Sequence, residues 1–263
     1  MNESIESKIE RFIQFYEEMI LGAMAESNLR NQAIPSKVLL CTIIDSLAKS
    51  RFPEIKINSQ RFKQTVEELG GWAECNHISL LHLKRALDMQ VETSERFSDL
   101  RNWTDSAIVA RFKVSNRLLS VTMPVSRDPK PEEVNSCWPV SATGQREKIG
   151  DILFEMLQHK HLLWLYRNNL VHEYRIPGRG SELGLKDSQE PCYRQVAQVE
   201  SVDSEAGLVF SNRFELLYPT AFFRTLAETV LHNVAQHHLG AETNPFLAFS
   251  DGSYWLPRFN EDG

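Results

Sequence analysis

Residues 143–172, TGQREKIGDILFEMLQHKHLLWLYRNNLVH, decide how this chain is read. Ile149, Leu153, Met156, Leu157, Leu163, Trp164, Leu170 and Val171 keep to a helical period, recurring near one and two turns apart, which puts side chains on one face of an α-helix. The spacing predicts one long helix from near Thr143 to about His172. Pro177-Gly178 follows and stops it, because proline cannot continue a helix.

Working upstream, the same period recurs. Ile5, Ile9, Phe12, Ile13, Tyr16, Ile20 and Leu21 predict a helix over Ser4–Met24, with Ser4 as its N-cap. Ala33 to Pro35 is expected as an interruption. A second helix should run from Ser36 to before Pro53, and a third over Ser59–Leu69, closed by Gly70-Gly71. Ile78–Met89 reads as a fourth, and Ser98–Leu119 as one or two short ones. From Val121 to Ser141, Pro124, Pro129, Pro131 and Pro139 predict a long loop.

Downstream the period changes. Tyr193, Val196, Ala197 and Val199, then Leu208–Phe210 and Phe214–Leu217, are short extended runs separated by turn residues at Asp203–Gly207. They predict a β-hairpin over about 192–218. Pro219–His238 reads as the last helix. The reading is a mainly α protein: one helical-bundle domain over 1–240, with the β-hairpin inserted before the last helix. Residues 241–263 form an irregular tail containing Phe246, Phe249, Trp255 and Phe259.

Composition narrows the function classes. In 263 residues, 42% are apolar and 24% charged, which is ordinary for a globular chain able to bury a core without disulfides. The formal net charge of -6 argues against a general nucleic-acid coat or a polybasic membrane binder. No window has the length of apolar sequence needed to span a bilayer, and the polar start Met1–Glu10 lacks the apolar run of a secretory signal. Cys41, Cys75, Cys137 and Cys192 lack metal-ligand spacing and are expected as free thiols of a cytoplasmic protein.

The candidate chemistry lies at the end of the quoted stretch. Arg167, Asn168, His172, Tyr174 and Arg175 fall in one short span. Arg167 and His172 are five residues apart, about 140° around a helix axis. Such a group suits phosphodiester cleavage in RNA, which carries its own 2′-OH nucleophile. His moves protons near neutral pH, and the planar guanidinium of Arg matches phosphate oxygens. Asn168 can donate to a phosphate or hold the imidazole. The plainer alternative is a pair of cations favouring a helix C-terminus.

Neighbouring residues complete the expectations. Asp45, in an apolar helix, can orient Arg167 or His172 or make a structural hydrogen bond. Arg175, Arg179 and Lys186 make the following loop locally basic and able to guide a phosphate backbone. Trp164 and Tyr166 are expected in the core or a dimer contact. His159 and His161 point to different helix faces and cannot hold one metal ion, and His237-His238 are expected in solvent. No metal or cofactor is expected.

Arg167-Asn168-Asn169-Leu170-Val171-His172 resembles the signature of the HEPN superfamily: an Arg, a polar residue, and a His a few positions on. Tyr174 extends the likeness to the Arg-x4-His-x-Tyr form of one group of bacterial toxins, in which the Tyr is an AMP-modification site. The stretch Val38–Lys49, with Ile44-Asp45 in its middle, looks like the first bundle helix of such proteins. The resemblance implies a helical bundle acting as a metal-independent endoribonuclease in bacterial defence or a toxin–antitoxin system. It implies a homodimer with facing motifs, and an antitoxin partner. By it Arg167 and His172 are catalytic, Asn168 supporting and Tyr174 a possible modification site. The rival is a non-catalytic module that binds nucleotide, RNA or a partner protein with the same helix end.

Overall fold

The structure is a computed structural model that describes residues 3–25, 33–90, 95–112, 122–178, 182, 188–203 and 207–249. It is mainly helical with an antiparallel hairpin, as the periodicity predicts, and a further strand extends the hairpin to a three-stranded sheet. The chain divides into two compact units, residues 1–71 with 223–263, and residues 72–222.

The first unit holds α1 (Ile5–Met24), α2 (Ala33–Arg51), α3 (Asn58–Leu69) and most of α8 (Thr220–Gly240). Ser4 caps α1 by accepting a hydrogen bond from the Ser7 N–H at 3.2 Å. Ile9, Phe12, Tyr16, Ile20 and Ala23 form its buried face. Ala33–Pro35 does not interrupt; it opens α2. Proline is tolerated there because the first turn has no helical partner for its missing N–H.

The end of α3 is built for close approach. A Cβ on Gly70 would stand 2.4 Å from the Val66 carbonyl oxygen and 2.7 Å from Leu226 Cδ1 on α8. Gly71 leaves the helix at φ +62, and Asn233 of α8 donates to the Leu69 carbonyl at 2.8 Å.

His238 corrects an expectation: it is 5% exposed rather than solvated. Ser50 gives its hydroxyl proton to the Pro245 carbonyl at 2.7 Å, so it accepts from His238 Nε2 at 3.0 Å. Nδ1 then accepts from the Thr243 hydroxyl at 2.8 Å. Burial, with the charges of His237 and Arg51, lowers the His238 pKa to about 4. Beyond α8, Phe246 packs edge-on to Phe12, with Arg11 4.5 Å above its ring. Trp255 and Phe259 lie outside the described residues.

The second unit holds α4 (Leu80–Met89), α5 (Ser98–Arg111), β1 (Thr122–Pro124), α6 (Pro131–Asn135), α7 (His159–Glu173), β2 (Cys192–Asp203) and β3 (Gly207–Leu217). The expected hairpin is β2–β3, with Cys192 opposite Leu217 and Tyr193 opposite Leu216. The strand β1 adds to its edge, Met123 opposite Tyr193. The described part of the expected loop, 122–141, is thus structural, burying Met123, Val125, Asp128, Val134 and Trp138. Its prolines fit their places: Pro124 ends an edge strand and Pro131 opens α6.

The helix that opened the reading is shorter than its period suggests. It starts at His159, not near Thr143. Gly144 and Gly150 sit at φ +77 and +60, outside helical geometry. Residues 143–158 form turns and a 3-10 segment at Phe154–Leu157. Ile149, Phe154 and Leu157 are still buried, packed with Leu83, Leu87 and Leu100 of α4 and α5.

Candidate functional site

The inward face of α7 is His159, Leu162, Leu163, Tyr166 and Leu170, all buried. That stripe turns the other side of the helix outward. Arg167, Asn168 and Asn169 are half-buried and His172 is exposed. Arg167 donates from Nη1 to Asn168 Oδ1 at 3.1 Å, and its guanidinium carbon lies 5.0 Å from the Trp164 ring centroid. Arg167 is thereby held by a cation–π contact and a hydrogen bond. Asn169 is committed locally, donating to the Leu165 carbonyl at 2.9 Å.

His172 sits on the last turn of α7, and its imidazole makes no hydrogen bond among the described residues. Tyr174 ends the helix in the left-handed region at φ 52 and is 58% exposed. Arg175 pairs with Glu173 at 2.5 Å. Tyr166 is buried, as expected, its ring 5.1 Å from that of Tyr218. Asp45 is half-buried on α2, in the other unit. Arg179 and Lys186 lie outside the described residues. Arg167, Asn168 and His172 thus lie on the last two turns of α7, with Tyr174 and Arg175 just past its end; of these, Arg167 and Asn168 are in contact.

A second constellation escaped the sequence. Asp128, wholly buried, accepts the Leu80 N–H at 3.1 Å and His159 Nε2–H at 2.7 Å, and also takes the Tyr193 hydroxyl proton. Tyr193 oxygen lies 2.7 Å from Ser79 Oγ, which lies 2.7 Å from His82 Nδ1. Since Tyr193 donates to Asp128, Ser79 donates to Tyr193 and accepts from His82. The result is a one-way chain of donors ending on one carboxylate, the arrangement in which each bond polarises the next. Burial, then the Asp128 charge, raises the Tyr193 pKa well above its ordinary value. Burial lowers that of His82 to about 4.

One signal could have found this network. His159 falls on the inward stripe with Leu162, Leu163, Tyr166 and Leu170, and a histidine there needs a buried partner. Asp128 gave no matching signal, being set among prolines. Ser79, Asp128, His159 and Tyr193 are buried, with His82 half-buried at the edge of the network, and His159 opens α7, so the network positions that helix.

Among the described residues, no group of three or more His, Cys, Asp or Glu is placed to hold a metal ion. No described helix is long and apolar enough to cross a membrane. The fold and site define a mainly helical protein with a small antiparallel sheet and a helix end carrying half-buried Arg167 and Asn168 and exposed His172. The chain matches no protein-family model, no curated protein and no solved structure.

Proposed function

We propose that this chain is a HEPN-like endoribonuclease that cleaves RNA without a metal ion, by attack of the 2′-OH on the adjacent phosphorus. The observation that carries the reading is the exposed, uncommitted imidazole of His172, just over one helical turn beyond the guanidinium of Arg167.

In this scheme His172 takes the 2′-OH proton as the new O–P bond forms. The P–O5′ bond breaks, and the leaving oxygen takes a proton from the imidazolium of a second copy's motif. Arg167, held by Trp164 and Asn168, stabilises the charge that builds on the phosphorane oxygens. Arg175, exposed and paired with Glu173, would exchange that carboxylate for a neighbouring phosphate. The products are a 2′,3′-cyclic phosphate and a 5′-OH. Two facing motifs supply base and acid together, so the reading includes a homodimer.

The test is incubation of the pure protein with mixed RNA in EDTA, followed by end-group analysis. His172→Ala and Arg167→Ala should each lower the cleavage rate at least about 100-fold, with unchanged circular dichroism. Cyclic phosphate ends should appear with the wild type only. Equal activity in both variants, or other end groups, overturns the reading. The contacts already made by the Arg167 guanidinium favour one rival, a binding module. That rival expects RNA retention that Arg167→Ala weakens, and no product.

A further inference from the structure

The first unit carries a surface groove of about 430 Å³ between α1 and α8. Its floor is apolar: Ile20, Leu231 and Ala235 are buried there and Ile13 is half-buried. Leu21 stands in its wall with 62% of its surface in solvent. Single exposed apolar residues are ordinary, but one at the mouth of an apolar groove is a contact waiting for a surface. The rim carries an exposed carboxylate on each side, Glu17 from α1 and Glu228 from α8, the latter beside exposed His232 and Gln236.

The charges have a clear sign. Glu17 makes no hydrogen bond or ion pair among the described residues. Glu228 is partly balanced by Arg224 at 2.8 Å. Along α1, Glu6, Glu10, Glu17 and Glu18 are exposed, outnumbering Lys8 and Arg11, and Arg11 is taken by Glu3 at 2.9 Å. A second copy of the chain would bring the same acidic α1 to the groove, and like charges would oppose it. A basic occupant is favoured at Glu17, and more weakly at Glu228, whose charge Arg224 partly balances.

The length fits a helix. Ile13 to Leu21 on α1 and Glu228 to Gln236 on α8 each span eight residue steps, about 12 Å at 1.5 Å per residue. Apolar anchors at i, i+4 and i+7 of a docked helix span about 10.5 Å. Lysine or arginine stems beside those anchors can lie along the apolar walls and carry their heads to Glu17 and Glu228.

We propose that this groove docks an amphipathic helix of a partner protein, with apolar residues at i, i+4 and i+7 flanked by Lys or Arg. The proposal does not depend on the ribonuclease reading.

The experiment is fluorescence anisotropy of the full chain with a labelled Leu/Lys peptide about 15 residues long, patterned as an amphipathic helix. Saturable binding is expected, at least about tenfold tighter than for a Leu/Glu peptide of the same pattern. Glu17→Lys with Glu228→Lys should reverse that preference. Leu21→Asp should weaken the Leu/Lys peptide at least about tenfold. All three residues are exposed, so the variants should keep the wild-type circular dichroism spectrum. Absence of saturable binding, equal affinity for the two peptides, or wild-type affinity in Leu21→Asp overturns the proposal. So does sedimentation in which the chain dimerises and Leu21→Asp makes it monomeric, because the occupant is then a second copy.

Discussion

Asp128 is the residue on which most depends and which the chain advertises least. Its carboxylate serves three donors, from Leu80, His159 and Tyr193. Asp128→Ala leaves all three buried without an acceptor and should cost at least about 3 kcal/mol in urea unfolding. Tyr193→Phe removes one hydroxyl and should cost less, about 1–2 kcal/mol. A loss in Asp128→Ala no larger than that of Tyr193→Phe would show that the carboxylate is not the hub. The exposed residues behave oppositely. His172 has no hydrogen-bond partner among the described residues to lose, so its substitution should leave stability within about 0.5 kcal/mol whatever it does to the proposed cleavage. That contrast separates the two constellations. The Arg-Asn-His group was legible because its residues are adjacent in sequence on one helix. The Asp128 network was not, because its members become neighbours only when the chain folds.

At the scale of elements, the longer helices were read from their apolar period and the hairpin from its alternation, most starts and ends falling within a few residues of the structure, whereas α6 and β1 lie in the stretch read as a loop. The largest difference is α7. Its period continues through 143–158, yet the backbone there is turned at Gly144 and Gly150. Buried residues at helical spacing need not be helical when glycines offer tighter turns. Two glycines isolate the physical causes. Gly70 has ordinary φ but no room, with Val66 oxygen and Leu226 Cδ1 in the way. Gly144 has room, with nothing within 4 Å of a Cβ, but a φ of +77. Gly70→Ala should cost about 2–3 kcal/mol through overpacking, and Gly144→Ala about 1 kcal/mol through backbone strain. Chemical denaturation of the two variants checks the order, and the reverse order would sink the argument from close approach.

At the scale of the whole molecule, each unit holds a histidine whose pKa is lowered to about 4 by loss of solvation, half-buried His82 in one and buried His238 in the other. Both values lie below that of an unfolded histidine, about 6.5, so the unfolded chain takes up the protons first. The stability these groups contribute is fully present above pH 6.5 and is lost as pH falls from there toward 4. The slope is up to about 1.4 kcal/mol per pH unit for each histidine. Thermal unfolding across that window should show falling Tm, and His238→Gln should flatten the fall. An unchanged slope would mean that His238 is not neutral and buried as described. By itself, the sequence determined the mainly helical class, the amphipathic faces, the hairpin and the candidate helix end. Those features depend on the side-chain period and on residues a few positions apart. Only the tertiary structure decided where α7 begins, that His238 is buried, and that Asp128 meets Tyr193 across 65 residues and Ser79 meets Tyr193 across 114. A hydrogen bond sealed from water depends on which distant segments pack together, and no local period encodes that.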